Sequence, residues 1–138
     1  MNVIVCLDDA GGMAFNGRRQ SKDRIVCEKI VSLVNGQKLW MTAYSKSLFE
    51  GDEAISVSDD FLQKAGPLDF CFVETQPFLQ DAVTQIFAFY WNRRYPADVY
   101  LGFKPEDSGF YLADKTEFCG FSHEKITLCV FKRREGKQ

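Results

Sequence analysis

Two stretches of this chain gather side chains that could do chemistry. Gly17-Arg18-Arg19-Gln20-Ser21-Lys22-Asp23-Arg24 sets four cations and one acid within eight residues, just ahead of a segment with helical periodicity. A helix N-terminus offers unpaired N–H groups and positive dipole potential, and guanidinium forks add bidentate anion recognition. A phosphate or carboxylate ligand therefore fits the placement; the alternative is a solvated basic loop with its own ion pairs. Asp23, the lone acid, either complements the dipole of a first helical turn or is a pocket carboxylate anchoring a protonated ligand. The second stretch, Tyr90-Trp91-Asn92-Arg93-Arg94-Tyr95, interleaves aromatics with cations at the end of an apolar run. It reads either as a stacking platform for a planar heterocycle or single-stranded RNA, or as packing aromatics beside exposed arginines. If the strands before the two loops are parallel neighbours, both clusters line one cleft.

The remaining candidates carry less. Asp8-Asp9 could hold Mg²⁺ as a carboxylate pair, but strand-end turns commonly contain such acids. Gly11-Gly12 is a tight turn, since neither G-x-G-x-x-G nor G-x-x-x-x-G-K occurs anywhere. His123 is the only histidine; it has no nucleophile partner nearby in sequence, so an exposed hairpin-loop residue is expected. One histidine excludes His-rich metal centres, and no metal site is expected. Cys6, Cys27, Cys71, Cys119 and Cys129 are odd in number and never form Cys-x-x-Cys, which reads as reduced, buried thiols. The basic tail Lys132-Arg133-Arg134 reads as a solvated terminus.

The elements that must position these groups belong to an ordinary globular chain. It has 138 residues, 46% hydrophobic and 26% charged, with net charge −2, which fits one domain over 1–138 with a core that needs no disulfide or metal. The charge gives no bulk attraction to nucleic acid. Apolar runs such as 86–91 fall far short of the ~20 residues of a bilayer span, and 1–7 meets Asp8-Asp9 before a signal-peptide core could form. No membrane partner and a cytoplasmic location are expected.

Residues 2–7 form a continuous apolar run, the pattern of a strand buried on both faces. A loop over 13–20 leads to Ser21 as N-cap, after which Val26, Cys27, Ile30, Leu33 and Val34 recur at helical spacing until Asn35-Gly36 supplies a left-handed stop. Strands are expected over 38–43, 54–57, 69–74, 83–91, 97–101, 109–119 and 125–134, with Ser45 capping a short turn and Asp59 capping another over 60–65. The last two strands pair most simply as a hairpin across the polar link 120–124. Alternating strands and helices followed by a hairpin define an α/β fold: a mostly parallel central sheet, flanking helices and antiparallel edge strands. Ligands in such sheets bind outside the carboxyl ends of the strands, which here are 8–20, 42–47, 74–77 and 92–96.

The order of segments resembles dihydrofolate reductase. The resemblance rests on the strand 4–7, the loop Gly12-Met13-Ala14-Phe15-Asn16 followed by Asp23 at a helix start, the strand Lys38-Leu39-Trp40-Met41, the stretch from Gln85-Ile86-Phe87 to Ala97-Asp98-Val99-Tyr100, and the closing Phe118…Ser122-His123…Leu128…Phe131-Lys132-Arg133. It implies a dihydrofolate reductase-like domain using NADPH as cofactor, with Asp23 as the proton-delivering or orienting acid, its pKa raised by burial. It departs from the family at specific points. Arg18-Arg19-Gln20 stands for Leu-Pro-Trp, Thr42-Ala43-Tyr44-Ser45-Lys46 for the phosphate-binding Gly-Arg-x-Thr-Trp, and Glu74-Thr75-Gln76-Pro77 for the Gly-Gly turn that cradles the pyrophosphate. A strand–helix unit is also expected to be missing between Glu50 and Phe70.

The sequence is also similar to small bacterial proteins labelled ribonuclease Z, although that chemistry needs a His-x-His-x-Asp-His zinc cluster that a single histidine cannot form. The expectation is a reductase-like fold binding an anionic small molecule, a nucleotide or a pterin, through Asn16, Arg18, Arg19, Arg24, Trp91, Arg93 and Arg94, with Asp23 as the acid. The alternatives are a non-catalytic module for single-stranded RNA or a protein partner, an RNA-processing protein, and a purely structural protein, favoured if the two basic loops lie on opposite faces.

Overall fold

The computed structural model describes residues 1–49 and 54–134. In chain order the strands are β1 (Asn2–Leu7), β2 (Gly12–Phe15), β3 (Arg18–Arg19), β4 (Leu39–Met41), β5 (Ile55–Val57), β6 (Phe70–Phe72), β7 (Gln85–Tyr90), β8 (Val99–Tyr100), β9 (Phe110–Phe118) and β10 (Ile126–Arg133). The helices are α1 (Arg24–Val34), α2 (Ala43–Lys46) and α3 (Phe61–Lys64). A seven-stranded sheet runs β5-β4-β6-β1-β7-β10-β9, with every pair from β5 to β7 parallel and β10 antiparallel to both neighbours. The expected mixed sheet with a closing antiparallel hairpin is therefore present.

The apolar runs lack alternation because both faces of the sheet are covered. On β1, Ile4 joins the core under α1 with Val26, Ile30 and Val34, while Val3, Val5 and Leu7 pack into the opposite layer with Met13, Phe61 and Phe110. β7 divides the same way, Phe87 and Phe89 toward α1, Ile86 and Ala88 away. Each fully buried large side chain, such as Phe72 or Phe89, contributes roughly 1.5–3 kcal/mol of transfer free energy.

Several local readings need correction. Residues 13–20 are a hairpin, β2 with β3, completed by β8 into a second three-stranded sheet. Its two-residue turn, Asn16-Gly17, has φ of 54° and 75°, the primed geometry that matches strand twist. The cap of α1 is Asp23, whose carboxylate accepts from Ile25 N, whereas Ser21 lies before the helix; Asn35 supplies the left-handed stop at φ 48°. Thr42 rather than Ser45 caps α2, and Asp60 rather than Asp59 occupies the cap position of α3. Arg133 is not solvated: its guanidinium donates to the carbonyls of Val83 and Gln80 and lies over the Phe110 ring. The tail beyond Arg134 lies outside the described residues. Between Glu50 and Phe70 the described residues carry β5 and α3, the strand and the capped turn expected over 54–57 and 60–65. The helices α2 and α3 are short, four residues each.

All five cysteines are free, but Cys119 is exposed, not buried. Burial pushes Cys27 up to about 11 and Cys71 up to about 12, which keeps both as unreactive thiols. A colorimetric thiol assay of the native protein is expected to titrate Cys119 in a fast phase, the half-buried Cys6 and Cys27 more slowly, and the buried Cys71 and Cys129 only on unfolding. Fast modification of Cys71 or Cys129 would contradict this burial.

Candidate functional site

The strand ends do converge. At the first, Asp8 is buried and its carboxylate accepts from Ala10 N and Gly12 N at 2.8 and 2.7 Å, from Gln20 Nε2 at 2.9 Å and from Tyr95 N at 3.2 Å. Burial alone would raise its pKa; these donors outweigh that and lower it. Asp8 thus ties the β1 end to the loop after β7. Among the described residues no group of three acidic, histidine or cysteine side chains is placed to hold a metal.

Three ends meet at Glu74, which follows β6. Its carboxylate receives a bidentate pair from Arg19, Nε at 2.8 Å and Nη2 at 3.0 Å, and the Ser45 hydroxyl at 2.8 Å. Arg19 also donates to Tyr44 O and lies 4.2 Å over the Tyr44 ring. The arginine is thereby neutralised by a buried acid rather than held open for an anion.

Asp23 forms the tightest cluster. Oδ1 accepts from Ile25 N and Phe121 N, both at 2.9 Å, while Oδ2 accepts from Ser122 N at 2.9 Å and the Ser122 hydroxyl at 3.3 Å. His123 Nδ1 lies 2.9 Å from Oδ2, and its Nε2 lies 2.9 Å from Ser21 Oγ. The imidazole is buried and stacked on Trp91 at 4.6 Å between ring centroids. Burial would raise the Asp23 pKa, but the Phe121 amide, His123 and the Ser122 and Ile25 amides outweigh it and hold the carboxyl well below the usual carboxylate range. This direction is opposite to the raised pKa that proton delivery requires. Gly120 lets the strands close over this cluster: a Cβ there would sit 2.5 Å from Asp23 Oδ2 and 2.7 Å from Ile126 Cδ1.

Beside the cluster lies a cavity of about 870 Å³, walled by the first turns of α1, by Ser47, Leu48 and Phe49, and by Phe121 and Ser122. Asp23, Arg19 and Arg24 of the sequence candidates line it, Arg24 with its guanidinium 4.1 Å over the Phe121 ring. Asn16, Arg18, Arg93 and Arg94 are exposed and are not among its lining residues, so the two basic clusters do not form one wall. Trp91 is buried with one face against His123, which removes the open stacking platform on which the single-stranded RNA reading rested.

Sequence reading missed His123, Ser21 as its partner, and Glu74. His123 was expected to be exposed; it is buried because its partner lies 100 residues away, a separation that local spacing cannot reveal. Glu74 did leave a signal. An acid directly after Phe70-Cys71-Phe72-Val73 sits at the end of a fully buried strand and needs a cation.

The strand order and the mixed sheet with its closing hairpin define a dihydrofolate reductase-like fold. A dihydrofolate reductase from Enterococcus faecalis, solved in complex with NADP(H) and RAB-propyl, superposes with a TM-score of 0.68 at 8% identity, over 97% of this chain and 96% of that one. No family model and no curated protein matches the sequence. The similarity to proteins labelled ribonuclease Z is therefore unsupported, while the reductase-like fold stands. No helix of the described residues is long and apolar enough to cross a membrane.

Proposed function

We propose that this protein binds a small anionic molecule, a nucleotide or a pterin, in the cavity beside α1, and that it does so without the hydride chemistry associated with its fold. The cavity carries the reading. Its volume of about 870 Å³ lies in the range of small-molecule sites, roughly 300–1,000 Å³, and Val31, Leu48 and Phe49 give it apolar walls. Lys22 and Arg24 stand on its rim and enter no ion pair among the described residues.

NADPH does not fit the residues present. Where the resemblance implies a Gly-Gly turn around a pyrophosphate, Glu74 stands instead and holds Arg19 in a bidentate pair, so that cation is not free to meet a pyrophosphate. Thr42 and Ser45, at the implied phosphate position, are spent on the α2 cap and on Glu74. An Asp23 held in its ionised form supports the same reading, since it orients its neighbours rather than delivering a proton.

Thermal-shift titration against millimolar nucleotides and pteridines, with NADPH in the same panel, tests this. An anionic ligand is expected to raise the melting temperature, and Arg24→Ala to weaken it by ~10-fold or more, the scale of one charge-assisted hydrogen bond. Stabilisation by NADPH would overturn the cofactor argument. No shift with any ligand would overturn the binding reading.

A further inference from the structure

Ser21, His123 and Asp23 are bonded in series: Ser21 Oγ lies 2.9 Å from Nε2, and Nδ1 of the same ring lies 2.9 Å from Asp23 Oδ2. We propose that Ser21 is an activated nucleophile, with His123 as its general base and Asp23 as the positioning carboxylate, giving the protein an acyl-transfer activity on small carboxylic esters. The proton positions follow from the partners. An ionised carboxylate can only accept, so Nδ1 carries a proton; in the singly protonated ring Nε2 is then the acceptor to which the Ser21 hydroxyl donates. That is the arrangement in which a histidine removes a serine proton.

Three features of the fold hold it there. Asp23 is fixed by the amides of Ile25, Phe121 and Ser122, so the carboxylate cannot turn away from the ring. Trp91 stacks on the imidazole and sets its plane. The helix cap is Asp23 rather than Ser21, which leaves the Ser21 hydroxyl unspent on the backbone. His123 and Asp23 are buried, while Ser21 is half-buried and flanked by exposed Lys22, so reagents reach the serine while water is kept from the pair behind it. None of this depends on what the neighbouring cavity binds.

The reaction balances without a cofactor. Ser21 Oγ bonds to the ester carbonyl carbon as its proton passes to Nε2; the carbon–alkoxy bond breaks and the alcohol leaves with that proton. Water then attacks the acyl-serine, giving its proton to Nε2, and the acid departs as Oγ is reprotonated. Ester and water become acid and alcohol.

A fluorophosphonate is the direct probe, since its P–F bond is displaced by an activated serine with loss of fluoride. One adduct is expected, mapped to Ser21 by peptide mass spectrometry, forming at least ~100-fold faster in the folded protein than in the urea-unfolded chain, the lower end of general-base assistance. Ser21→Ala should abolish both the adduct and turnover of p-nitrophenyl acetate. An unlabelled Ser21, an adduct only on another residue, or equal rates in folded and unfolded protein would overturn the proposal. The mapping on the unaltered protein decides even if the variant does not fold.

Discussion

Asp23→Ala is expected to destabilise the protein by about 3–5 kcal/mol, the range measured when one member of a buried charged network is removed. The substitution strips the cap from α1 and, in the same step, leaves the amides of Phe121 and Ser122 and the Nδ1 of His123 without their acceptor. Urea unfolding would read the loss as a fall in midpoint at unchanged slope. Asp23→Asn keeps the shape but not the charge, and it predicts a pH signature. The folded-state pKa of Asp23 is depressed, so its contribution is fully present above the unfolded value of roughly 3.9 and is lost as pH falls through the lower folded value. The unaltered protein should therefore lose stability on acidification below about pH 4, and the asparagine variant should show a shallower decline there. Parallel curves would mean that Asp23 carries no charge-dependent stabilisation.

The second large effect is expected at Arg19→Met, which leaves the Glu74 carboxylate buried with only the Ser45 hydroxyl as donor among its described partners. The cost should be about 3 kcal/mol, most of it the desolvation of an unpaired acid. Pairing it with Glu74→Met distinguishes that cost from a genuine gain by the ion pair: the double variant is expected to recover most of the lost stability, because apolar replacement of a whole buried pair is often neutral. A double variant as unstable as the single one would show that the pair itself holds the strand ends together. Equilibrium unfolding of the three variants completes the cycle.

The sheet was legible because its cause is local. Val3-Ile4-Val5 and Ile86-Phe87-Ala88-Phe89 are apolar on both faces of the pleat, and only a strand covered on both sides requires that. The helix was legible from the spacing of Val26, Ile30 and Val34 and from the Asn35 stop. The small hairpin was legible in principle, since Asn16-Gly17 is the dipeptide that a primed turn demands, but β3 is only two residues long and Arg18 carries no apolar pattern. The site was least legible. Arg19 meets Glu74 across 55 positions and Asp23 meets His123 across 100, so the partners are set by sheet order, not by spacing in sequence. Trp91 shows the converse: its neighbours suggested an open platform, yet the fold places a ring upon it.

The place of β1 at the middle of the sheet has a kinetic meaning. Its two neighbours, β6 and β7, begin at Phe70 and Gln85, so each pairing of the first strand requires its own long loop to close. Such closures cost chain entropy before contacts repay it, which sets folding of this chain among the slower, high-contact-order topologies. During synthesis the apolar residues of β1 must wait, unpaired, until about half of the polypeptide has followed and β6 is made. The His123–Asp23 bond, joining the last hairpin to the first helix, can close only after the C-terminal part of the chain is made. The same residues that order the candidate site therefore fasten the fold at the end of its assembly.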